Sequence, residues 1–221
     1  MIWDINVSKR LGTAKRSFML DVRFRSQARR LALFGPSGAG KSQTLQMIAG
    51  LTQPDRGHVQ LDGQYLFNGQ TGINLPTQQR SLGYVFQDYA LFPHLTVLQN
   101  IAFSLHRGLL NPRRKTQHES VARWLEAFHL ESVAHQYPVQ LSGGQRQRTA
   151  LARALVGEPR ALLLDEPFAA LDQALRKHLR QELAELQNQL NIPMILITHD
   201  QEDLDCFADS VIHIQDGRTI R

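Results

Sequence analysis

Short apolar runs that stop at polar punctuation alternate with stretches of helical period along this 221-residue chain. The runs RLALFG (30–35), LGYVFQ (82–87), ALLLDE (161–166), MILITHD (194–200) and SVIHIQDG (210–217) read as buried strands. Their alternation with helices predicts an α/β fold around a mainly parallel sheet. Helices are expected at 41–51, 144–156 and 173–190. The last is the clearest, because Leu175, Leu179, Leu183, Leu186 and Leu190 recur at steps of three and four and mark one core-facing stripe.

Two regions interrupt that alternation. Residues 55–69 set an Asp62-Gly63 turn between β-rich arms, the pattern of an antiparallel hairpin. Residues 93–140 hold a Pro93 break, a Thr96-x-x-Gln99 capping box and the segment SVARWLEAFHL, whose Val121, Leu125 and Phe128 share a face. They predict a helical subdomain, with HRGLLNPRRKTQHE as an exposed connection inside it. The expected organisation is one domain over 1–221, with an α/β core and β-subdomain at about 1–87 and 148–221 and a helical insertion at about 88–147.

A chain of this length supports one ample core rather than two large domains. Hydrophobic residues at 42% and charged residues at 20% argue against disorder or a fibre. The single Cys206 excludes an internal disulfide and favours a reducing compartment. No apolar run reaches bilayer-spanning length, and the opening MIWDINVSKR lacks the features of a secretory signal, so neither crossing nor export is expected. The net charge of +5 raises nucleic acid as a partner. However, Lys9, Arg10, Lys15, Arg16, Arg23, Arg25, Arg29 and Arg30 are spread over strand-like sequence with Asp4 and Asp21, and only Phe18 and Phe24 lie among them. That fits a solvated basic face, with contact to nucleotide, a partner or anionic lipid as the alternative.

The chemistry starts at GPSGAGKS, 35–42, which fits G-x-x-x-x-G-K-S between the strand LALF and a helix. Glycines 35, 38 and 40 let backbone N–H groups converge on phosphate oxygens. Pro36, Ser37 and Ala39 complete the loop and Gln43 follows it on the helix. Lys41 supplies a positive charge for the β- and γ-phosphates, and Ser42 offers a hydroxyl to Mg²⁺. In ALLLDE, Asp165 stands at the carboxyl end of a buried strand, placed to hold the Mg²⁺ shell. Glu166 beside it is suited to polarise an attacking water; the plainer alternative is a surface acid ending a strand. A small-molecule kinase would need a substrate pocket and a lid with several arginines, and a GTPase an N/T-K-x-D guanine reader, which neither NQLN nor ITHD supplies; the chain looks like a hydrolase of ATP. A second glycine turn, LSGGQ at 141–145, opens another helix-like stretch and repeats the chemistry of an anion site.

GPSGAGKS, LSGGQRQR, LLLDEP, ALD and ITHD occur in the order found in the ATP-binding subunits of ABC transporters, and the resemblance covers nearly the whole chain. It implies a P-loop NTPase core of RecA-like type, with an antiparallel β-subdomain and an inserted helical subdomain. It also implies head-to-tail pairing of two subunits, so that Ser142, Gly143, Gly144 and Gln145 close over the partner's ATP, with the helix starting at Gly144. Gln87 corresponds to the Q-loop residue that senses Mg²⁺ and attacking water, and His199 resembles the switch histidine at the γ-phosphate. Asp172 resembles the D-loop acid at the subunit interface, although Ala169 stands where the family usually has Ser. Phe18 is the candidate to stack on adenine, or else a core residue.

The same resemblance places Tyr89, Leu91, Phe92 and Pro93 in a groove that receives a coupling helix of the transmembrane permease subunits. A substrate-binding protein would act indirectly, no nucleic acid is expected, and the location implied is the cytoplasmic face of the inner membrane, held peripherally. The stretch from Leu66 to Val97 and KRLG at 9–12 resemble ATPases of molybdate importers; sulfate, ferric iron and polyamine importers, or a soluble non-transport ABC protein, are the alternatives. Many related ATPases continue into a β-rich regulatory domain, which is not expected within these 221 residues.

Overall fold

The computed structural model describes residues 1–13, 16–106, 111–113, 118–169, 171 and 173–220. In chain order the elements are β1 (Trp3–Thr13), β2 (Arg16–Ser26), β3 (Arg30–Phe34), α1 (Lys41–Ala49), β4 (Arg56–Leu61), β5 (Gln64–Asn68), β6 (Ile73–Asn74), α2 (Thr77–Arg80) and β7 (Leu82–Val85). There follow α3 (Val97–Ala102), α4 (Glu119–Ala127), α5 (Gly143–Leu155), β8 (Ala161–Asp165), α6 (Gln173–Leu190), β9 (Met194–Thr198), α7 (Gln201–Phe207), β10 (Ser210–Gln215) and β11 (Arg218–Ile220).

The strands form a sheet in the order β6-β5-β4-β1-β2-β11-β10-β3-β9-β8-β7. From β10 to β7 neighbouring strands are parallel, and from β6 to β2 they are antiparallel. Every residue of β8 and β9 is buried, which is why both read as unbroken apolar runs. Their side chains alternate between two cores: Leu162, Leu164, Met194 and Leu196 pack with α3 to α6, whereas Ala161, Leu163, Ile195 and Ile197 pack with α1 and the antiparallel strands.

The hairpin expected at 55–69 is β4-β5, with Asp62 at φ 47° and Gly63 at φ 80°, the two positive values a tight primed turn requires. The capping box at Thr96 and Gln99 opens α3, and Val121, Leu125 and Phe128 are buried together with Trp124. Helix α6 keeps its expected bounds, but only Leu179 and Leu183 of its stripe are fully buried; Leu175, Leu186 and Leu190 lie at the margin of the core. The expected 147/148 boundary falls inside α5, a continuous helix that runs from the helical region into contact with β7. No described helix is long and apolar enough to cross a membrane.

Candidate nucleotide site

The sheet sends four chain segments out of the same carboxyl edge: Phe34 into the glycine loop, Val85 toward Gln87, Asp165 into Glu166, and Thr198 into His199. Such an edge, where parallel strands diverge to either side, is where ligands bind in open α/β sheets.

The loop turns by glycine. Gly38 and Gly40 have φ of 79° and 96°, and a Cβ on Gly40 would come within 2.7 Å of Leu20 Cδ1. Lys41 follows, 4% exposed, and its Nζ donates to the carbonyls of Gly35 at 2.7 Å and Pro36 at 2.9 Å. Burial pulls its pKa down, against the opposing charges of Glu166 and Asp165. Ser42 donates its hydroxyl to Asp165 Oδ1 at 2.8 Å. Tyr84 donates to the other carboxylate oxygen at 3.2 Å. Burial raises the Asp165 pKa and the hydrogen bonds from Ser42 and Tyr84 oppose that rise; burial and the charge of Asp165 together push the Tyr84 hydroxyl upward. Tyr84 escaped the sequence reading because a tyrosine in a buried strand looks like core; only its pairing across β7-β8 reveals the contact.

Glu166 adopts a left-handed backbone, φ 45°, and its amide donates to Ile197 O at 3.1 Å. Its Oε2 is 3.5 Å from Gln87 Nε2 and 3.4 Å from His199 Nδ1. Three residues 33 or more apart in sequence are thus gathered around one carboxylate oxygen, with Glu166 sheltered and His199 open to solvent. Behind His199, Asp200 caps α7 through the Glu202 amide and is held by Arg176 and Arg180.

Pro36, Ser37 and Gly38 are exposed and Ala39 is buried, while Gln43 bonds its amide to Gln46 one turn on. Phe18 is half-buried and, with Leu11, Gly12 and Ser17, lines an open cavity of about 510 Å³; its ring edge lies against the end of the glycine loop. Asp172 lies outside the described residues, and Ala169 is exposed.

The second glycine turn is built differently. Ser142 Oγ accepts from the Gln145 amide at 3.2 Å, and Gln145 Oε1 accepts from the Ser142 amide at 2.8 Å, a closed capping box. The helix starts at Gly143, one residue before the expected Gly144. Gly144 itself is buried, and a Cβ there would come 3.1 Å from Leu175 Cδ1, so this glycine gives room to a neighbouring helix. Ser142 is exposed. Among the described residues no hydrogen bond or ion pair joins 141–145 to 35–42.

Two surface expectations change as well. Tyr89 is 4% exposed, with its hydroxyl 3.5 Å from Pro167 O, because a left-handed turn tucks it inward. Leu91 and Phe92 are half-buried, Pro93 is exposed, and Phe103, which the sequence did not single out, packs its ring against Phe92 at 4.4 Å between centroids and a tilt of 43°, and joins that surface. The basic strands are paired with acids, Lys9 with Asp55, Arg23 with Asp21, Arg25 with Asp4 and Arg30 with Asp209, as a solvated face requires.

A glycine loop between β3 and α1, with a buried lysine and a serine-aspartate pair at the carboxyl edge, defines a nucleotide-binding core of the P-loop class. The chain belongs to the ABC transporter family, whose model matches residues 21–169. It is 46% identical over 215 residues to the sulfate/thiosulfate import ATP-binding protein CysA of Synechocystis, across 96% of this chain and 58% of that one. It is 42% identical over 216 residues to a probable sulfate/thiosulfate import ATP-binding protein CysA of Chlorella vulgaris, across 98% of this chain and 88% of that one. Among solved structures it is similar to the dimeric post-hydrolysis state of the ATP-binding cassette MJ0796 bound to ADP and Pi, with a TM-score of 0.81 and 30% identity over 100% of this chain and 97% of that one. These relatives are named for sulfate and thiosulfate, which favours the sulfate alternative over the expected molybdate. Lys9 of KRLG is engaged with Gln53 O and Asp55, and 66–97 runs from β5 through β6, α2 and β7 to the first residue of α3.

Proposed function

We propose that this protein hydrolyses ATP to power import of sulfate or thiosulfate through a membrane transporter, working as a head-to-tail pair of copies at the cytoplasmic membrane face. The observation that carries the ATPase reading is the gathering of Gln87 and His199 on Glu166, one residue from the Asp165-Ser42 pair.

Bound triphosphate would take over Lys41 from the Gly35 and Pro36 carbonyls, since phosphate oxygens offer the ammonium a full counter-charge. Ser42 and Asp165 are hard oxygen donors already within 2.8 Å of each other, the donor set Mg²⁺ prefers when phosphates and water complete its shell. An ion held there would neutralise negative charge on the phosphate oxygens. Glu166 accepts a proton from water as the water oxygen attacks the γ-phosphorus and the bond to the β-phosphate oxygen breaks, releasing ADP and phosphate. Gln87 orients that water, and His199, on an exposed strand end, reaches the γ-phosphate. Phe18 stacks on adenine at the open side of the loop. Ser142 and the start of α5 then face the nucleotide of the second copy, which explains a positive helix end left open to solvent.

Support for the import role comes from the names of the relatives and from the Leu91, Phe92, Pro93 and Phe103 surface, where a permease helix would seat. Reconstitution with the permease and substrate-binding subunits tests it: ATP turnover stimulated by sulfate or thiosulfate is expected. Stimulation by molybdate alone would overturn the sulfate reading, and turnover insensitive to any membrane partner would overturn import.

A further inference from the structure

Two consecutive non-glycine residues, Tyr89 and Ala90, adopt left-handed backbone conformations with φ of 63° and 42°. Each is unfavourable for an L-residue, the bulky tyrosine especially, and such a pair persists only where its surroundings impose it. Against this turn lies the side chain of Arg153, eleven residues along α5 from Ser142. The Arg153 guanidinium donates to Ala90 O through Nη1 and to Tyr89 O through Nη2, both at 2.7 Å. It is 9% exposed and lies over the Phe92 ring at 5.6 Å. Among the described residues no carboxylate pairs with it; Asp88 acts only through its field, and burial brings the pKa down to about 10. A buried cation whose hydrogen-bond partners are two carbonyls is costly to keep, so those carbonyls must need it.

We propose that Arg153 is a positioning residue, a clamp that holds the left-handed Tyr89-Ala90 turn and thereby sets Gln87, two residues upstream, against Glu166. The inference rests on the reading of this chain as an ATPase. A helix is stiff along its axis, so the clamp also ties the Ser142 end of α5, about 16 Å away at 1.5 Å per residue, to the residue that orients the attacking water. Arg153 touches neither nucleotide nor water and acts only through the turn.

The test uses the full chain with Mg·ATP. Arg153→Met should lower kcat by roughly 10- to 100-fold, the usual effect of a catalytic group misplaced by about 1 Å, and leave KM for ATP near the parent value. Adding Ala90→Gly should restore most of the lost kcat, because glycine takes the left-handed conformation without the clamp; alone it should leave the rate near parental. Simple loss of packing at Arg153 would not be rescued at position 90. Parental kcat in Arg153→Met, or a folded Arg153→Met chain that Ala90→Gly fails to rescue, overturns the clamp.

Should Arg153→Met not fold, Arg153→Lys replaces the two-carbonyl fork with a single ammonium. Amide hydrogen exchange across 88–92 should then quicken while β8 and β9 stay protected, and unchanged exchange overturns the clamp. If the parent chain itself hydrolyses no ATP, the ATPase reading fails on its own, and the exchange comparison of Arg153→Met with parent decides the clamp separately.

Discussion

The two glycine turns, at 35–42 and 141–145, share a composition and differ in what their missing side chains make room for. At the first, positive φ at Gly38 and Gly40 bends the loop around a buried lysine that feels the charges of Asp165 and Glu166, and Gln87 and His199 reach Glu166 from two further strand ends. At the second, the turn is neutral, its serine and glutamine satisfy one another, and its glycines let helix α5 approach Leu171 and Leu175. One turn gathers charge, Lys41 with Asp165 and Glu166, and the other is a helix start whose polar groups satisfy one another. On the proposed pairing of two copies, the open face of the second turn would cover the nucleotide held by the first turn of the partner, so that the two kinds of surface meet only between copies.

The largest effect separates the turns by chemistry. Glu166→Gln keeps the shape and the Gln87 and His199 neighbours but removes the proton acceptor, so turnover should fall by about 10²–10⁴ with ATP binding intact. Steady-state hydrolysis beside equilibrium nucleotide binding measures it, and a parental rate would remove Glu166 as the base. Next comes Lys41→Ala, which takes the charged donor from the first turn. Charge-assisted hydrogen bonds of the usual strength predict a loss of ATP affinity of roughly 10- to 100-fold, read with a labelled nucleotide. Unchanged affinity would mean that the first turn is no more a phosphate cradle than the second.

How much of this was visible in the sequence depends on whether a residue's neighbours lie along the chain or across it. Strands β8 and β9 were legible because burial on both faces leaves an unbroken apolar run, and α6 because its leucines keep helical steps. Strands β1 and β2 were less so: Trp3, Ile5, Val7, Leu20, Val22 and Phe24 alternate with polar residues of mixed charge, Asp4, Asn6, Asp21 and Arg23 among them, and only the register between the strands shows them as one buried face. The motif glycines, Lys41, Asp165 and Glu166 could be picked out from local patterns. That Gln87 and His199 meet on Glu166 required the strand order β9-β8-β7, which no spacing encodes. Tyr84, Arg153 and the burial of Gly144 were hidden for the same reason: each is defined by an atom on another element.

Sharpening the comparison at the second turn requires a substitution that leaves the helix start whole. Gly144→Asp fails that requirement, since its side chain would meet Leu175 and any loss of pairing could follow from damaged packing. Ser142→Asp meets it. Aspartate caps a helix as well as serine and its charge suits the positive end, so stability should hold, yet a carboxylate now stands where, on the proposed pairing, the second copy's γ-phosphate docks. In the Glu166→Gln background, ATP-driven dimerisation followed by sedimentation should weaken by about tenfold or more, the worth of roughly 1.4 kcal/mol of repulsion. Full dimerisation would show that the second turn faces no phosphate. Ser142→Ala supplies the matching smallest effect: it adds no charge but breaks the capping box, costing about 1 kcal/mol and lowering Tm by roughly 2–4 °C. If the serine serves only its own helix, Ser142→Ala destabilises and Ser142→Asp changes nothing. If it serves the partner's nucleotide, the ranking inverts in the dimerisation assay while the thermal ranking stays as it was, and no single structural defect produces both orders.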